Sequence, residues 1–131
     1  MRSKIQLIIL ILLSNLFSEN RDILFESIEK YLNKYRYTIH NDDFQTKDGI
    51  IRLEITSRRT NINSQVLLGF YAIGRSLSKT NLFCNEIHII INYDNYNINK
   101  EIIIAPINIV QRLSSGNISP AQFLNLIGTL N

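Results

Sequence analysis

A two-layer α+β domain is the fold class that this 131-residue chain predicts: a four-stranded, mainly antiparallel sheet with helices largely on one face. Three observations carry it. Apolar residues recur at helical spacing over residues 23–35, 66–77 and 123–130, and alternate singly over 51–56 and 86–93. Turn signals fall between these segments, with Asp48-Gly49 the strongest. The resulting order is helix, two strands, helix, two strands, two helices, with no internal repeat and no low-complexity linker.

The first eighteen residues stand apart. Arg2 and Lys4 precede an almost unbroken apolar run from Ile5 to Phe17, which Ser18, Glu19, Asn20 and Arg21 end abruptly. A basic start, an apolar middle and a small residue at the exit are the layout of a secretory signal peptide. The run is shorter than the roughly 20 apolar residues of a membrane span and contains Gln6, Ser14 and Asn15. Leu16 is large for its place two residues before the exit, so an uncleaved N-terminal membrane anchor is the other form of the same reading. Residues 1–18 are therefore assigned to targeting, and residues 19–131 to one small domain that is secreted, periplasmic or lumenal. Any membrane contact is expected only through the N-terminal segment.

The elements of the domain follow in order. Asn20 suits a helix cap with Asp22 in the first turn. Ile23, Leu24, Ile28, Tyr31, Leu32 and Tyr35 form one apolar stripe as far as about Arg36, with Glu26, Glu29, Lys30, Asn33 and Lys34 on the solvated side. Tyr37 and Ile39 alternate with Thr38 and His40 and predict a first strand; Ile51, Leu53 and Ile55 predict a second, half-buried one. A polar loop over Ser57–Asn63 leads to a helix from Asn63 or Ser64, with Val66, Leu67, Phe70, Ile73, Gly74 and Leu77 on one side. Gly69 and Gly74 weaken that helix, so both imply close packing of its backbone on the sheet.

Residues 86–105 read as a hairpin around a polar turn at Asp94–Asn97. Ile87, Ile89 and Ile91 share a face, to which the spacing assigns Ile102 and Ile104 of the returning strand. Ile90 and Ile103 then point the other way, where a sheet with one solvated face carries polar residues. Pro106 starts a short helix that ends before Gly116, and Ser119-Pro120-Ala121-Gln122 reads as a capping box for a last helix with Phe123, Leu124, Ile127 and Leu130 inside. That box claims Ser119, so the Asn117-Ile118-Ser119 sequon is expected to be unmodified.

Composition bounds the function. A content of 45% hydrophobic and 19% charged residues is that of a folded domain. The single cysteine, Cys84, excludes an internal disulfide, and the domain is long enough to fold without disulfide or metal. Of 14 Lys and Arg, Arg2 and Lys4 lie in the targeting segment, which leaves 12 against 11 Asp and Glu. The linear sequence shows no basic stripe, and Arg58-Arg59 is the one adjacent basic pair, so a nucleic-acid partner is not expected.

Few residues offer chemistry. Gly69 to Ser76 matches a phosphate-binding loop except for Arg75 in place of lysine, but it lies inside a helical pattern rather than after a strand. Asp42, Asp43 and Asp48 could pair for acid–base work or hold a cation, yet Asp is also an ordinary turn residue. Cys84 with His88 could form a nucleophilic pair only if Cys84 precedes the strand. His40 and His88 have no zinc-site spacing. No cofactor is expected. The sequence thus predicts a non-enzymatic binding or assembly protein of the cell envelope or secretory pathway. Its partner, a protein or a second copy, is expected on the 86–105 hairpin through Ile90, Ile103, Tyr93 and Tyr96. The competing reading is a small secreted hydrolase-like enzyme using the Asp42/Asp43/Asp48 loop or Cys84.

Overall fold

The computed structural model describes residues 2–57, 62–93 and 100–127. The first helix, α1, spans Arg2–Asn33 without interruption. The expected start at Asn20 is not used. No Pro or Gly occurs between Arg2 and Asn33, and a side-chain cap acts only where the preceding backbone leaves the helix. Leu24, Ile28 and Leu32, four residues apart, are buried, whereas Ile5 and Leu7 to Leu12 are exposed. The helix ends in a left-handed turn at Arg36 (φ 61°). There the Tyr37 N–H reaches back to the Leu32 carbonyl and the Arg36 N–H to that of Asn33, both at 3.0 Å.

Tyr37–His40 is not the first strand. The segment buries Ile39 and ties itself to the sheet through the Tyr37 hydroxyl, which donates to the Thr56 carbonyl and accepts from the Thr56 N–H, each at 2.9 Å. A 3₁₀ turn over Asn41–Asp43 follows, and the strand itself is β1, Phe44–Lys47. Asp48-Gly49 explains the shift. With φ of 53° and 77° these residues form a two-residue turn of mirror-image type, which pairs Lys47 with Ile50 and so sets Phe44 opposite Leu53. Arg21 clamps α1 to this corner: its guanidinium donates to Asn41 Oδ1 at 2.7 Å and to the Phe44 carbonyl at 2.9 Å, and lies over the Phe44 ring.

β2 is Ile50–Ser57 and α2 is Ile62–Leu77. α2 crosses over the sheet, so the next strand, β3 (Glu86–Tyr93), pairs parallel to β2. β4, Glu101–Pro106, returns antiparallel, and the sheet order is β1-β2-β3-β4. The predicted class therefore holds: a mostly antiparallel four-stranded sheet with one parallel pair. The last two helices are α3, Ile107–Ser114, and α4, Pro120–Ile127. The capping box forms as read, with the Gln122 N–H donating to Ser119 Oγ at 3.1 Å and the Ser119 N–H to Gln122 Oε1 at 2.8 Å.

Phe44, Ile51, Leu53, Ile55, Ile87, Ile89 and Ile91 face one side of the sheet and join Val66, Phe70 and Ile73 of α2, Val110 of α3 and Phe123 of α4 in a single core. Gly69 and Gly74 meet different neighbours. Gly69 faces the sheet, 3.1 Å from Ile89 Cδ1 at its would-be Cβ position. Gly74 faces α3 at Ser114 and Val110, so only one of the two glycines serves packing on the sheet.

Candidate functional site

The sheet face turned away from the helices carries Gln45, Arg52, Glu54, Thr56, His88, Asn92 and four isoleucines, Ile50, Ile90, Ile102 and Ile104. Apart from half-buried Ile50, polar residues fill the β1–β2 half, as expected of a solvated face. The β3–β4 half is different. The register sets Ile90 against Ile102 and His88 against Ile104. Ile102 is 52% exposed and Ile104 46%, with Ile90 half-buried between Ile102 and Glu54. β4 is an edge strand, so its apolar face lies beside unpaired backbone donors and acceptors.

Two of the sequence-predicted residues are displaced from this surface. Ile103 is only 3% exposed and pairs with Ile89 inside the core. The returning strand is therefore one residue out of phase with its predicted orientation, and Ile102 and Ile104 are the outward residues. Tyr93 follows Ile91 on the core side and packs against the core. Ile90 is retained. Tyr96, the Asp94–Asn97 turn, Arg58-Arg59 and Leu130 lie outside the described residues.

A polar rim borders the apolar patch. Lys100 Nζ approaches Glu54 Oε1 at 2.7 Å, and this bond holds the Glu54 carboxyl below its ordinary range, with a further contribution from Asn92. His88 Nε2 lies 2.9 Å from Glu86 Oε1. An apolar centre with satisfied polar groups around it is the ordinary anatomy of a protein interface.

The residues considered for catalysis are not assembled. Asp42 and Asp43 precede β1, Asp48 follows it, and the Asp43 carboxylate already accepts the His40 N–H at 2.9 Å. Among the described residues no three His, Cys, Asp or Glu side chains come together as a metal site. Cys84 lies before β3 and donates to the Glu86 carbonyl at 3.3 Å. Burial pushes its thiol up to about 11, against weaker opposing effects of hydrogen bonding with the Ile51 and Glu86 backbone, so near neutrality it is not a thiolate nucleophile. Gly69 to Ser76 is helical throughout, with no loop of backbone N–H groups to cradle a phosphate. Among the described residues no helix is long and apolar enough to cross a membrane.

Comparisons with family models, curated proteins and solved structures give no match to this chain.

Proposed function

We propose that this is a non-enzymatic binding or assembly protein of the cell envelope or secretory pathway, which holds a protein partner on the outer face of β3 and β4. Residues 1–18 direct it out of the cytoplasm, to be released or to remain tethered by that segment. One observation carries the binding role: Ile102 and Ile104 stand about half exposed on an edge strand, beside Ile90. Fully burying an Ile side chain is worth about 1.5–3 kcal/mol, so covering the exposed halves of these two offers a partner roughly 2 kcal/mol before any strand pairing.

The partner surface is tested with Ile102→Thr combined with Ile104→Thr in the full chain. Thr keeps strand propensity while removing the apolar surface, so the far-ultraviolet circular dichroism should be unchanged. A photo-crosslinker at position 90 in the native cell should trap a partner with the parent chain and lose it with the variant. An intact variant that keeps the same cross-link would sink the assignment. Export is tested separately. Residues 1–20 fused to a reporter active only outside the cytoplasm should give signal, and a silent, cytoplasmic reporter would overturn the targeting reading.

A further inference from the structure

A second feature lies on the helical side of the molecule, where α1 and α2 both end. Ser27, Lys30, Tyr31 and Lys34 of α1 and the turn beyond it face Arg75, Ser76, Ser78 and Lys79 across a groove of about 370 Å³. Four cations line it and no carboxylate does; Glu26 and Glu29 of the same helix are not among its walls. Among the described residues none of the four cations is in an ion pair. The linear sequence shows no basic stripe because these residues come from two segments about 45 positions apart, each contributing a pair at i and i+4.

Basic residues at helix C-termini commonly complement the helix dipole. That explanation is too small here. Two C-termini supply roughly half a negative charge each, and the excess of about three positive charges remains. The last carbonyls are moreover bonded elsewhere: Ser78 Oγ donates to the Arg75 carbonyl at 2.6 Å and the Lys79 N–H to that of Ser76 at 3.1 Å. The groove also has fixed walls. The Tyr31 ring sits 5.5 Å from Tyr35 and 5.6 Å from Tyr71, and the Arg75 guanidinium lies 5.9 Å from the Tyr71 centroid. Ser76, 2% exposed, adds a hydroxyl-bearing residue to the lining. Burial, and then the neighbouring Tyr35, push the Tyr31 phenol above its ordinary range, so it stays a neutral hydroxyl.

We propose that this groove binds a diphosphate-bearing anion, clamped by Lys30, Lys34, Arg75 and Lys79. Two phosphate groups at roughly −1.5 to −2 each come close to balancing the four cations, and the volume is at the small end of ordinary ligand pockets. Arg75 offers a planar two-pronged donor, and the lysines act as point charges that neutralise the remainder.

Inorganic pyrophosphate is the probe, titrated into the full chain by calorimetry at low salt. Binding should weaken as sodium chloride rises from about 50 to 200 mM, because the site is exposed and screened. Lys34→Gln with Arg75→Gln should weaken it by at least about tenfold with unchanged circular dichroism, while Lys47→Gln on the far side of the sheet should change nothing. Phosphatidylcholine vesicles with and without diacylglycerol pyrophosphate separate two sources of the diphosphate. Preference for the acidic vesicles that the double variant loses assigns it to a lipid headgroup; equal attachment to both assigns it to a soluble ligand. Absence of any pyrophosphate binding up to about 10 mM, or binding that the double variant retains in full, overturns the proposal.

Discussion

Phe70→Ala should lower the unfolding free energy of this domain by about 4 kcal/mol, within the usual cost of emptying a buried aromatic site. Phe70 is fully buried at the middle of α2, the helix that touches α1, α3, β2 and β3. Its ring lies 5.2 Å from that of Phe123 at 60°, so it joins the sheet layer to the terminal helix. Truncation removes the transfer energy of the ring and leaves a cavity whose walls belong to several elements and cannot close together. Domains of this kind are stable by only about 5–15 kcal/mol in all, so the variant should melt much earlier in urea, or not fold. Pairing it with Phe123→Ala should give less than the sum of the single losses, because the first truncation already removes the ring contact. A urea midpoint within error of the parent would mean that Phe70 is not between the two layers.

The order of elements was legible because each carries its own periodicity, and the one parallel strand pair follows from the helix between β2 and β3. Two errors of detail have different origins. The first strand was readable. A two-residue turn at Asp48-Gly49 requires residues 44–47 to face 50–53, and Phe44-Gln45-Thr46-Lys47 alternates accordingly. Tyr37–His40 imitates a strand because its apolar residues also alternate, although they serve a tie to Thr56 and the core. The phase of β4 was not readable from Ile102-Ile103-Ile104, where three identical residues offer no alternation. Ala105 was the available signal. A small residue opposite Ile87 belongs inside, and it carries Ile103 inward with it.

The two candidate sites differ in the same way. The apolar surface of the 86–105 hairpin showed in the sequence as an excess of isoleucine, and the structure replaces Ile103 with Ile102 and Ile104 and turns Tyr93 to the core. The basic groove did not show at all. Lys30 and Lys34 read as the solvated face of one helix, Arg75 stood only in the Gly69 to Ser76 pattern, and Lys79 drew no reading. Their meeting depends on how α1 lies against α2, which no local pattern encodes.

Gly74→Val should destabilise the domain by about 3 kcal/mol or more, against the propensity rule that favours replacing a helical glycine. A Cβ at position 74 would stand 2.8 Å from Ser114 Oγ, 2.9 Å from Ser114 Cβ and 3.1 Å from Val110 Cγ1. The Ser114 hydroxyl could rotate away, but its Cβ moves only with the backbone of α3. That helix is held by buried Val110 and Leu113 and closed by a left-handed turn at Gly116 (φ 82°), where the Asn117 N–H bonds the Arg112 carbonyl at 2.9 Å. The helices must therefore separate, and the two further methyls of Val widen the gap. Gly69→Ala is the internal comparison. Its new Cβ would meet mainly the Ile89 Cδ1 methyl, the free end of a side chain that can turn aside, so the roughly 1 kcal/mol gained in helix propensity should be largely kept. Ser114→Gly in a Gly74→Ala background should recover much of the loss that Ala alone causes, since it removes both of the closest atoms. Thermal and urea unfolding of the set decides the matter. A stable Gly74→Val variant would mean that α2 and α3 do not approach backbone to backbone at this position.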